Sequence, residues 1–332
     1  MSRLDLATAA QQRLAEELLG WGQPRPAVDR TFVASLRQHL EAEIGELQPH
    51  VGEVASSAPR GRVLITKSRL DRLACDGYAL DAAPFTFSRA SMRGILTHAA
   101  IERDWRGGRS QAADALVAAV WQDEASRRPG DPSSASAWMN AQPGDEAEAL
   151  RAEIADLVAS FREVWPNLHG APVEASVERA FDVTLGGGTV ALFGRPDIVL
   201  SSHRDDGRAR TLVVDLKTGQ PRPEHDRHEL RFYALLVTLA TGVPPFRWAT
   251  YYVTEGRYDT EDLRTETLEV TARRIVDGVR QQLRITPRPA DDEGLVIRGG
   301  SWCRWCLRVD DCAEAARVRA EWMSQAPGMM GP

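Results

Sequence analysis

The chain has 332 residues, 43% of them hydrophobic and 27% charged, the composition of a globular protein with either one large core and a helical appendage or two modest domains. Its formal net charge of −6 gives no global electrostatic footprint for nucleic acid, so any contact with a polyanion must come from a local groove. The opening stretch MSRLDLATAAQQRLAEELLG carries acids among its apolar positions and reads as neither signal peptide nor membrane anchor. This places the protein in the cytoplasm with no membrane partner, where four cysteines read as metal ligands or buried thiols rather than disulfides.

Leu4, Leu14, Leu18 and Leu19 predict a first helix, and residues 27 to 47 repeat the pattern after Gln23-Pro24-Arg25-Pro26. Further helices are expected from Leu70 to Leu80 and around Ile95, His98, Ala99 and Glu102. A Gly, Pro and Ser-rich stretch from Arg127 to Gly144 reads as a mobile loop inside a helical region that resumes from Asp145 to Trp165. After Pro172 the period becomes alternating. Val173, Ala175, Val177, Phe181 and Val183 share one side, with Glu174, Glu178 and Asp182 on the other. Turns at Gly186-Gly187-Gly188 and Asp205-Asp206-Gly207 lead into strands over Thr189 to Leu200 and Thr211 to Lys217, an expected antiparallel meander. A helix from about Glu224 to Ala240, a strand near Phe246 to Thr254, a helix over roughly Thr271 to Leu283 and a cysteine-rich tail follow.

Asp215 and Lys217 stand two apart on an expected strand and so share a face. If the preceding strand pairs with it, Asp197 approaches Asp215, and a divalent cation is the usual means of keeping two such carboxylates ionised. Held by Asp197, Asp215 and the carbonyl of Leu216, the cation would bind a scissile phosphate and acidify water, with Lys217 orienting that water or offsetting developing charge.

Gly194-Arg195-Pro196-Asp197 followed by Asp215-Leu216-Lys217-Thr218-Gly219 resembles the GxxD and DxKTG motifs of RecB-like PD-(D/E)XK nucleases. Arg93-Gly94-Ile95-Leu96-Thr97-His98-Ala99-Ala100-Ile101-Glu102 is similar to the helix that supplies that family's metal-binding histidine, which implies the role for His98. Glu178 matches the acidic residue of the family's earlier strand, with Glu174 on the same face. The family commonly has a Gln four residues before a Tyr in the next helix; here Tyr233 matches and Glu229 replaces the Gln. A carboxylate at that place would repel phosphate unless it met a metal or an arginine. The resemblance spans roughly Ile65 to Glu314.

Cys303-Arg304-Trp305-Cys306 and Cys312 give C-x2-C-x5-C, with Cys75 far upstream. Four soft ligands suit zinc or a [4Fe-4S] cluster, and spacing alone decides between neither. The resemblance implies the cluster, since the CRISPR adaptation nuclease and the AddB nuclease domain use one early and three late cysteines, and Ser68 to Cys75 is similar to their first-ligand segment. Gly61 to Ser68 almost spells a phosphate-binding loop, but Thr66 stands where the second glycine belongs.

The resemblance therefore implies an α/β restriction-endonuclease-like core, a mixed central sheet flanked by helices. Its expected layout is an N-terminal helical extension (1–60), a nuclease domain (61–320) with a helical insertion at about 105–170 and a cluster tail at 299–315, and a disordered end (321–332). The implied activity is Mg²⁺- or Mn²⁺-dependent cleavage of DNA, as an exonuclease on single strands or ends, with a helicase or defence complex as partner. The rival expectation is a non-catalytic DNA-end-binding or assembly subunit that keeps the fold.

Overall fold

A computed structural model of the chain describes residues 6–58, 60–128, 130–169, 171, 173–202 and 206–325. The first half holds α1 (Ala9–Glu17), α2 (Arg30–Gly45), α3 (Gln48–Ser57), β1 (Val63–Ile65), α4 (Lys67–Arg72), α5 (Asp76–Leu80), α6 (Arg89–Arg106), α7 (Ala113–Arg127), α8 (Ala135–Asn140) and α9 (Gly144–Val164). Then come β2 (Glu174–Val177), β3 (Phe181–Leu185), β4 (Val190–Gly194), β5 (Ile198–Ser201) and β6 (Leu212–Lys217). The last elements are α10 (Pro223–Thr241), β7 (Arg247–Tyr252), β8 (Arg257–Asp262), α11 (Thr265–Arg284) and α12 (Ala313–Gln325). None of these helices is long and apolar enough to cross a membrane.

The chain forms two compact units. The first comprises residues 1–34, 86–181 and 195–268 and contains a five-stranded sheet in the order β2-β5-β6-β7-β8. Only β6 and β7 are parallel, and α10 makes the crossover that a parallel pair requires. Strand alternation separates the faces of β6. Leu212, Val214 and Leu216 enter the core built by α1, α6, α7 and α9, whereas Val213, Asp215 and Lys217 point the other way, toward α10. Within that core Phe161 stacks on Trp165 at 5.4 Å, and Tyr251 meets both edge-on. Helices α7 and α9 of the expected insertion supply Leu116, Val120, Ile154 and Val158 to the same core; they belong to its fabric.

The second unit comprises residues 35–85, 182–194 and 269–332, with a three-stranded sheet in the order β1-β4-β3. Gly186 turns the chain at φ +58, where a Cβ would strike Ile44 at 2.5 Å; Glu41 accepts its N–H at 2.6 Å and Gln48 donates to its carbonyl at 2.6 Å. Thr66 caps α4 by accepting from Arg69 N–H at 3.1 Å, which accounts for a threonine in the failed phosphate-loop pattern.

Several expectations are corrected. The strand expected over 173–183 ends at Val177, because Glu178 takes a left-handed φ of 53, and the strand over 189–200 is broken at Arg195-Pro196-Asp197, where proline removes a ladder donor. The four resulting strands belong to two sheets rather than one meander. The helix over 70–80 is two, separated by Leu73-Ala74-Cys75. The loop at Arg127–Gly144 contains α8, begun by Ser134, whose hydroxyl accepts from Ala137 N–H. Helix α12 runs through Gln325, and the rest of the tail lies outside the described residues. Strand β8 was not anticipated, because its burial is weak along its whole length.

Candidate active site

The chemistry-bearing side chains gather in the first unit where β5 begins and β6 ends. Antiparallel pairing matches Ile198 with Val214, so Asp197 falls opposite Asp215, one step along the ladder. Both carboxylates are buried, at 7% and 4% exposure. Asp197 Oδ2 accepts the N–H of Leu216 at 2.5 Å, so Leu216 holds a carboxylate through its amide. The break after β2 serves the same end: the N–H of Glu178 donates to the carbonyl of Asp197 at 2.9 Å.

His98 reaches this corner from α6. Its Nδ1 lies 3.2 Å from Asp197 Oδ1 and 3.9 Å from Glu178 Oε1, and ligand atoms of His98, Glu178 and Asp197 all fall within 4.8 Å of one another. Of the two acids left open in the sequence, Glu178 joins this group and Glu174 does not. Asp215 faces Lys217 instead, whose Nζ sits 2.5 Å from Asp215 Oδ2 and 2.8 Å from Glu229 Oε2. Glu229 thus meets a lysine, a cation the sequence had not named as its partner. Tyr233, one turn further along α10, is buried with its ring 6.0 Å from Phe232.

Electrostatics follow this pairing. Burial lowers the His98 pKa, but the charge of Asp197, helped by hydrogen bonds to Asp197 and Glu178, outweighs it and lifts the imidazole to about 10. Burial raises Asp197, and His98 with the Leu216 amide overcomes it, holding the carboxyl at about 2. Glu178 is raised by burial and by Asp197 nearby. Burial would lower Lys217, but Asp215 and then Asp197 and Asp226 raise it, so it remains an ammonium.

Residues that the sequence did not single out fix this geometry. Arg93 on α6 donates to the carbonyl of Thr218 at 2.7 Å and pairs with Glu153 of α9 at 2.7 Å. Gly94 allows that approach, since a Cβ there would lie 3.1 Å from Thr218 Oγ1. Asp226, buried in the first turn of α10, accepts from Arg222 N–H at 2.9 Å and from the Tyr252 hydroxyl at 3.2 Å. A buried acid in a helix's first turn looks in sequence like an ordinary dipole partner, so nothing there marked Asp226.

In the second unit all four cysteines line one cavity of about 280 Å³ with Tyr78 and Trp302. Hydrogen bonds join the early and late segments: Ala83 N–H donates to Trp305 O at 2.7 Å and Leu307 N–H to Asp81 O at 2.8 Å.

Buried carboxylates and an imidazole at a broken strand end, beside a lysine on the neighbouring strand, are donors that could hold a metal ion. The sequence profile of the PD-(D/E)XK nuclease superfamily matches residues 68–313, and the chain belongs to that superfamily, a group of metal-dependent nucleases. Among solved structures, the crystal structure of SSO0001 is similar at 19% identity and a TM-score of 0.27, covering 52% of this chain and 74% of that one. No curated protein matches the chain significantly.

Proposed function

We propose that the protein is a metal-dependent deoxyribonuclease acting as an exonuclease on single strands or DNA ends. The observation that carries this reading is the trio His98, Glu178 and Asp197, with ligand atoms within 4.8 Å of one another, beside Lys217 held between Asp215 and Glu229. One nitrogen and two carboxylates fit Mg²⁺ or Mn²⁺, with Asp215 and the Leu216 carbonyl as further donors. When bound, such a cation supplies Lewis-acid polarisation of the phosphate and a more acidic water. Lys217 places a fixed positive charge where the phosphate gains negative charge, and Glu229 keeps that ammonium on the site side of α10. Tyr233 shares the Glu229 face of the helix. His98 must give up its proton to act as a ligand, and Asp197 fixes its ring in that pose.

The same reading gives the cysteines a [4Fe-4S] cluster. The N–H of Arg298 donates to Cys75 Sγ and that of Gly300 to Cys303 Sγ, both at 3.4 Å, as thiolates favour. Burial, together with Cys75, Asp81 and Cys312 nearby, raises the Cys306 thiol.

The test is end-labelled single-stranded and duplex DNA, linear and circular, incubated with anaerobically purified protein and Mg²⁺, Mn²⁺ or chelator. Metal-dependent shortening from ends is expected. Cleavage of circles would reject the exonuclease, and inactivity throughout would leave a DNA-binding assembly subunit of a helicase or defence complex.

A further inference from the structure

On the far side of Lys217 from Asp215, acids outnumber cations. Asp226 and Glu229 are 2% and 3% exposed and Asp215 4%, so one ammonium faces three buried carboxylates. Buried charge without a partner is costly and calls for a cation or a proton. Within this group Asp226 Oδ2 accepts from Arg222 N–H and Tyr252 hydroxyl, while Oδ1 accepts no hydrogen bond and lies 3.5 Å from His225 Nδ1.

We propose that His225, Asp226 and Glu229 form a second divalent-cation site, separate from the His98 trio, that takes Mn²⁺. Their ligand atoms all lie within 4.8 Å of one another. Helix α10 makes this possible, because residues one, three and four apart within its first two turns converge where Asp226 and Glu229 turn inward and His225 caps them from the partly exposed side. An imidazole with two carboxylates is the same mixed nitrogen and oxygen set as the His98 trio and suits Mn²⁺. Glu229 is shared with Lys217, so filling this site weakens its hold on the ammonium and couples cation binding to the neighbouring lysine.

The inference does not depend on nuclease activity and is tested by binding. Metal-stripped protein is titrated with Mn²⁺ while the signal of the free aquo ion is followed by electron paramagnetic resonance. His225 is partly exposed, so His225→Ala keeps the fold, and Asp226→Asn is the isosteric second variant. Each is expected to weaken by about tenfold or more a Mn²⁺ that Asp197→Asn still binds. The proposal is overturned if neither variant alters Mn²⁺ binding, or if the Mn²⁺ they lose is the same one that Asp197→Asn loses. Failure of the His98 site would show differently, as Asp197→Asn binding like the wild type.

Discussion

Each cation in the candidate active site is defined by the carboxylates it faces. Lys217 Nζ fits between Asp215 and Glu229 at 2.5 and 2.8 Å, a space for one compact ammonium. A guanidinium is a planar fork that cannot occupy the same point, so Lys217→Arg should lower single-turnover cleavage at saturating DNA by on the order of a hundredfold, as loss of a transition-state group does. Near wild-type activity would mean that the lysine only offers charge to the DNA backbone. His98 gives a pH prediction. Its folded pKa of about 10 lies above the ordinary 6.5, so without metal its stabilising contribution is complete below pH 6.5 and is lost as pH rises through about 10. The stability difference between wild type and His98→Ala in chelator should shrink across that window, and Mg²⁺ binding near neutral pH should release about one proton per cation. Calorimetry in buffers of different ionisation enthalpy reads the proton; no release would mean that His98 is not displaced from Asp197. Asp197, Asp215 and Lys217 were legible because alternation fixes their facing. The choice of Glu178 over Glu174 was not, since the strand stops between them and phase no longer carries across.

Helices and strands were read well wherever their period ran unbroken, as in α6, α10 and β6. Two of the misreadings fall at Glu178 and at Arg195-Pro196-Asp197, where apolar alternation continues in the sequence while the backbone leaves the ladder. Both breaks carry acids of the site, and the Glu178 N–H to Asp197 carbonyl bond ties one to the other; local rules fail here because the site requires an irregular backbone. The approach of α6 is an element-level device with its own test. Replacing a helical glycine by alanine ordinarily stabilises by about 1 kcal/mol, but at Gly94 the new Cβ would press on Thr218 Oγ1 at 3.1 Å. We expect Gly94→Ala to stay within about 1 kcal/mol of wild-type stability, the two effects offsetting. Cleavage should fall by about tenfold or more as His98 shifts relative to Asp197. Unchanged cleavage, measured beside a denaturation curve, would show that the loop after Lys217 yields without moving the site.

The whole chain divides its two kinds of chemistry between two compact units, the cation trio in one and the cysteines in the other. Sequence patterning could not show this division, because an amphipathic helix announces an apolar face without saying which core receives it: Gln11 of α1 donates to Arg162 O in the first unit, while Glu41 and Gln48 hold Gly186 in the second. The division predicts separable losses. Asp197→Ala and Asp215→Ala should each abolish cleavage while the protein keeps its colour and binds DNA at least as well, since removing a carboxylate reduces repulsion of phosphate. Cysteine variants should behave in the opposite order. Cys75 is anchored by its neighbour Asp76, whose buried carboxylate accepts from Val296 N–H at 2.6 Å and Gln281 at 2.7 Å and pairs with Arg284 at 2.7 Å. These bonds hold the Cys75 segment against residues 281–296. A cross-link over so long a loop stabilises by restricting the unfolded chain, by about 3 kcal/mol or more, and each ligand is needed to close it. Cys75→Ala should consequently cost as much stability as Cys303→Ala, and both should bleach the broad visible absorption of thiolate-bound iron in anaerobic preparations. Equal denaturation midpoints for wild type and Cys75→Ala, with the colour retained, would remove Cys75 from the ligand set; a colourless wild type with one zinc per chain would replace the cluster by zinc.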